Sequence, residues 1–163
     1  MGLFDFLFGK KNNKESVYTH LDENSFQQGL NVEKAQKMRE AFLAVMTQDD
    51  EDKAFNAASG LMLKGAFNET IEAYQELAQK YPNRKGDCES QIGAAYHFLK
   101  KYDKAIEYYI SAEKNGADQS MMDDNIWEAC FAAYKATEDK KHMKQYIEIR
   151  PTGNYVKKAN KFL

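Results

Sequence analysis

Proline is nearly missing from this chain: two in 163 residues, Pro82 and Pro151. A proline inside a helix costs about 3 kcal/mol, so its scarcity leaves long stretches free to be helical. Cysteine is as scarce, with Cys88 and Cys130 standing alone and no CxxC pair. That excludes a disulfide scaffold, and two lone thiols suit a reducing, cytoplasmic setting. Neither sign of charge dominates: 25 acidic against 23 basic residues, a net charge of −2. The chain therefore lacks the basic footprint of a nucleic-acid binder. No apolar run reaches the roughly 18 to 20 residues of a membrane span. Catalytic signatures are missing as well. There is no GxSxG, no P-loop, no HExxH and no matched carboxylate pair. His20, His97 and His142 are scattered, with no cysteine at metal-ligand spacing. No metal, cofactor or enzymatic activity is expected. The cluster of Cys88, Glu89, Tyr96 and His97 reads as an imidazole beside a small buried thiol rather than as a reacting group.

What the chain has is aromatic residues, ten Phe and ten Tyr, and they recur at a fixed distance. Lys64 to Pro82 is echoed by Lys100 to Asn115: Phe67 matches Tyr102, Ile71 matches Ile106 and Tyr74 matches Tyr109, each 35 residues on. A constant offset in this range marks a helical repeat array. The first copy carries Gly65, Phe67, Thr70, Tyr74 and Pro82; the second carries Lys100, Tyr102, Ala105 and Tyr109, with Asn115-Gly116-Ala117 where a proline would close the repeat. The helices before them supply Ala54, Ala57, Ala58 and Leu61, then Ile92, Gly93 and Tyr96. A third copy opens with Trp127, Cys130, Phe131 and Tyr134 and departs at Lys140 and Met143.

These residues resemble the tetratricopeptide repeat (TPR) family over about three repeats, from Glu51 to Pro151. The resemblance implies an all-α fold, a right-handed α-α superhelix with an N-terminal extension and a C-terminal capping helix. The expected layout is an N-terminal Phe-rich segment and linker over 1–30 and a helical domain over 31–163. Within the latter, a capping helix covers 31–48, the repeats lie near 51–82, 86–117 and 121–151, and an end helix covers 154–163. Helices are expected near 51–64, 67–80, 86–99, 102–114, 121–136 and 139–149.

Leu3, Phe4, Phe6, Leu7 and Phe8 cover one broad arc if drawn as a helix, with lysines at 10, 11 and 14 behind them. Five exposed large apolar side chains would be anomalous, since burying each contributes about 1.5–3 kcal/mol. The segment is expected to dock, and three surfaces stay open for it: the chain's own helices, a partner protein, or an anionic membrane surface met peripherally through residues 1–14. Asn31 is an N-cap candidate ahead of Ala35, Met38, Phe42, Val45 and Met46, which share one helical face. The acidic run at 49–52 lacks the glycine and distal glutamate of a calcium loop and reads as the start of the next helix.

The family's groove lies on the first helix of each repeat. Placed on this chain, the resemblance implies a partner surface of Phe55, Ser59, Met62 and Leu63, then Ser90, Ala94, His97 and Phe98, then Asn125 and Glu128. Its apolar strip is flanked by Asp52, Asp87 and Glu128, which suits an apolar segment with some basic character. Phe55 and Ser59 stand where the chaperone-tail binders of the family carry Lys and Asn, so that specificity is not expected. The resulting expectation is a protein–protein adaptor or scaffold receiving a protein or peptide partner. Two other uses stay open: a peripheral membrane protein anchored by residues 3–8, and a small chaperone for one client.

Overall fold

The computed structural model describes residues 29–163. The expected docking residues Leu3, Phe4, Phe6, Leu7 and Phe8, and the linker after them, lie outside the described residues. Among the described residues there are eight α-helices and no strand. They are α1 (Val32–Met46), α2 (Glu51–Leu63), α3 (Phe67–Lys80), α4 (Lys85–Phe98), α5 (Tyr102–Lys114), α6 (Gln119–Thr137), α7 (Lys141–Ile149) and α8 (Val156–Ala159). A 3-10 turn, Pro82–Arg84, leads into α4, and another, Asn160–Phe162, follows α8.

Side-chain caps start three of the helices. Asn31 accepts from the Lys34 amide at 2.9 Å, Asp50 from Lys53 at 3.0 Å and Asp118 from Met121 at 2.8 Å. Each satisfies an amide that has no partner inside its helix. The acidic run thus begins α2: Asp50 is its cap, and Glu51 takes Arg84 at 2.7 Å. Four helices end on a left-handed residue: Gly65 (φ 78°) after α2, Lys100 (φ 59°) after α4, Gly116 (φ 99°) after α5 and Glu138 (φ 55°) after α6. Gly65 and Lys100 are 35 positions apart, so the same turn is used twice, once with the residue best suited to it and once with a lysine.

From α1 to α7 each helix packs on the next, and α1 also reaches α3. The matching positions of the two copies are buried together: Thr70, Ile71 and Tyr74 on α3, and Ala105, Ile106 and Tyr109 on α5. The first position differs, since Phe67 is buried while Tyr102 is half-buried. Phe67 stacks flat on Phe98 of α4 at 5.1 Å. Two glycines of α4 lie tight against α5: Gly86, where a Cβ would stand 2.9 Å from the Ala112 carbonyl and 2.6 Å from that of Asn115, and Gly93. A Cβ at Gly93 would stand 2.6 Å from the Tyr109 ring and 3.2 Å from the Ala105 carbonyl.

Arginines tie helices that are distant in sequence. Arg39 of α1 meets Glu72 and Glu76 of α3, and Arg150 after α7 meets Glu113 of α5. At the C-terminal end the expected helix over 154–163 is shorter than its sequence pattern. Asp123 accepts from the Asn154 amide and the Tyr146 hydroxyl, both at 2.8 Å, and Tyr155 stacks on Trp127 at 5.0 Å. These bonds hold the chain at Asn154 and Tyr155, so helix begins only at Val156. The following 3-10 turn brings Phe162 to 5.4 Å from Phe131 and 5.3 Å from Tyr134.

The contact at Gly93 yields a test. Alanine raises helix propensity by up to about 1 kcal/mol, yet here its methyl enters the Tyr109 ring. Gly93→Ala is expected to destabilise the fold by about 2 kcal/mol net, read as a lowered urea midpoint; an unchanged or raised midpoint would show that α5 yields without cost.

Candidate functional site

The surface implied by the sequence divides into three parts on α2, α4 and α6. On α2, Phe55 is half-buried and its ring lies edge-on to Tyr74 at 6.1 Å. The Arg84 guanidinium sits over that ring at 4.4 Å and also bonds Asp87 at 2.6 Å. Arg84 therefore joins an expected apolar anchor to an expected acidic flank and offsets the charge of the latter. The sequence pattern does not single it out. Its one local sign is the Arg84/Asp87 spacing of three at the entry of α4. Ser59 shares a hydrogen bond with the Tyr74 hydroxyl at 3.0 Å. Met62 is buried and Leu63 half-buried.

On α4, Ser90, Ala94, His97 and Phe98 are all buried. Phe98 belongs to the stack with Phe67, so it supports the core as well as this face. His97 meets Tyr102 edge-on at 5.3 Å. Burial, with a smaller contribution from Lys135 of α6, pushes its imidazole down to about 4, from an ordinary value of 6.5. It is a neutral ring at physiological pH. On α6, Asn125 is buried and Glu128 exposed. The Glu128 carboxyl is raised, first by desolvation, while Lys135 opposes the shift. Lys135 thus couples the end of α4 to the outer part of α6.

Four polar atoms on α4 and α6 are covered and have no hydrogen-bond partner: Ser90 Oγ, His97 Nδ1, and both Oδ1 and Nδ2 of Asn125. Buried polar atoms are mated in about nine cases in ten or more. The shortfall at Asn125 is independent of which way its amide is turned, since neither atom is bonded. A fifth such atom, the Tyr109 hydroxyl, has a local explanation. Tyr74 bonds Ser59, fifteen residues before it. Tyr109 has Ala94 at the same spacing, which offers no oxygen.

The remaining reactive groups are held quiet by burial. The thiols of Cys88 and Cys130 are each pushed up to about 12, chiefly by desolvation. They are buried and unpaired, and do not form a nucleophile with His97. Among the described residues no group of three His, Cys, Asp or Glu could hold a metal ion, and no helix is long and apolar enough to cross a membrane. A hollow of about 580 Å³ opens at the α4–α5 turn, lined by Lys101, Tyr102, Lys104, Ala133 and His142 among others. None of the ten expected surface residues lines it. Comparison with protein-family models, curated proteins and solved structures finds no match to this chain.

Two expectations follow. Because His97 stays neutral in the fold and protonates when unfolded, the unfolded state binds more protons between pH 6.5 and about 4. Stability is therefore full above 6.5 and falls as pH drops through that window, by at most about 3 kcal/mol from this residue. His97→Gln is expected to flatten that part of the urea-midpoint profile; an equally steep profile removes the assignment. Ala94→Ser is expected to give Tyr109 the partner that Tyr74 has, stabilising by about 1 kcal/mol, with Tyr109→Phe in the same background cancelling the gain.

Proposed function

We propose that this chain is a protein-interaction module of the TPR kind, a superhelix of helix pairs that receives a segment of a partner protein across α2, α4 and α6. The observation that carries the reading is the set of covered, unmated polar atoms at Ser90, His97 and Asn125. An asparagine amide offers two donors and an acceptor, the complement of a peptide unit. A segment that opens the cover over Asn125 would supply the missing partners with its backbone, and its apolar side chains would meet Phe55 and Leu63, which are half-buried. The neighbouring acids Asp52 and Glu128 favour a segment with basic residues beside its apolar anchors.

The 35-residue correspondence of buried side chains supports the TPR-like architecture, because repeats of this kind bury their apolar faces only against their neighbours. The quiet thiols and the neutral imidazole favour binding over catalysis. A dedicated chaperone would use the same surface for a single client, in a stoichiometric complex.

The test is capture from native lysate by the intact protein and by a Phe55→Ala/Asn125→Ala variant, with circular dichroism confirming that the variant is folded. A defined partner retained by the intact chain and lost by the variant supports the reading. The same partner held equally by both overturns it. Phe98 is left intact in this design, because truncating it would also remove the stack with Phe67.

A further inference from the structure

The chemistry wanted by the α2–α4–α6 surface is an apolar run flanked by lysines, and the chain contains one. Leu3, Phe4, Phe6, Leu7 and Phe8 are followed by Lys10, Lys11 and Lys14. We propose that residues 3–14 of the chain itself occupy this surface when no partner is bound, so that partner binding must displace them. The proposal rests on the reading of that surface given above.

Three observations support it. The first is complementarity. The surface has apolar members, Phe55, Leu63 and the covered Met62 and Phe98, and two exposed acids, Asp52 on α2 and Glu128 on α6. The second is reach. The described chain begins at Gly29, ahead of α1, and α1 packs on α2 and α3. The fourteen residues between Lys14 and Gly29 span about 21 Å as a flexible linker and about 50 Å when extended. Packed helices stand about 8–10 Å apart; α3 packs on α4, α4 on α5 and α5 on α6, so α4 lies within roughly 20 Å of α1 and α6 within roughly 40 Å, inside the extended reach. The third is the cost of the alternative, because five large apolar side chains left in water form a patch that soluble chains rarely expose.

Tethering makes a weak contact sufficient. A linker of this length holds the segment at about millimolar effective concentration. A self-contact with a dissociation constant near 100 μM would then be about nine-tenths closed and lower a partner's apparent affinity about tenfold.

The probe is a fluorescein-labelled peptide with the sequence of residues 1–14, titrated into the full chain and into the full chain carrying F4S/F6S/F8S. The expected result is binding to the triple variant at least tenfold tighter than to the unchanged chain, weakened at least threefold by adding either Asp52→Lys or Asn125→Ala. Equal binding to both forms, or binding indifferent to Asp52 and Asn125, overturns the proposal. So does a doubling of mass on sizing that the triple variant abolishes, which would place the segment on a second copy. Flotation of the full chain, but not the triple variant, with vesicles of anionic phospholipid would place it on a membrane. The surface reading is scored separately, by loss of the captured partner when Phe55→Ala/Asn125→Ala is introduced into the triple variant. If that loss occurs while the peptide binds neither form, the self-occupancy idea fails and the partner surface stands.

Discussion

The contact between Gly93 and the ring of Tyr109 sets the spacing on which the neighbouring helices depend. A methyl group at position 93 would sit inside the ring's contact distance, and one at position 86 would meet the Ala112 and Asn115 carbonyls, so α4 and α5 close as they do because neither residue has a side chain. The residue 35 positions before Gly93 is Ala58, fully buried against the pair of α2 and α3. That pair has to leave room for a Cβ and packs less extensively than α4 on α5. Beside Tyr74 stands Ser59, which bonds it at 3.0 Å; beside Tyr109 stands Ala94, which carries no oxygen. One hydroxyl group thus separates a tyrosine with a partner from a tyrosine without one.

Local features of this fold are written in local sequence. The breaks at Gly65, at Tyr81-Pro82-Asn83 and at Asn115-Gly116 fall where turn chemistry puts them, and α3 and α5 begin and end as their periodicity indicates. The cap at Asn31 is legible for the same reason, since it acts on an amide three residues away; the acidic run marks where α2 starts but does not single out Asp50 as its cap. What escapes a sequence reading acts across 23 to 33 residues. Arg84 reaches Glu51, and Asp123 gathers Tyr146 and Asn154. No periodicity encodes these bonds, because each depends on where two helices end relative to one another. The shortened α8 follows from them, as its amphipathic pattern continues through residues whose backbone is already committed to Asp123 and to the Trp127 stack.

The same distinction governs the candidate surface. The sequence supplies which residues share a helix face, but not their depth. Six of the ten, Met62, Ser90, Ala94, His97, Phe98 and Asn125, are buried. Depth changes their meaning. An exposed serine or asparagine is satisfied by water and carries no information. The same side chains covered and unmated represent a cost of about 1–3 kcal/mol each. Arg84 likewise turns Asp87 from a free acid into half of an ion pair, shifting the effective negative charge of the surface towards Asp52 and Glu128.

The chain has a single tryptophan, and it is not placed near that surface's α2 end. Trp127 is clasped between Tyr155 on one side and Phe131 at 5.2 Å on the other, with the Lys158 ammonium 5.1 Å from its ring. The indole emission of this protein consequently reports on one event above others, the peeling of the last ten residues away from α6. The C-terminal end carries its own optical gauge, while the α1 and α2 end can unravel almost unseen by it.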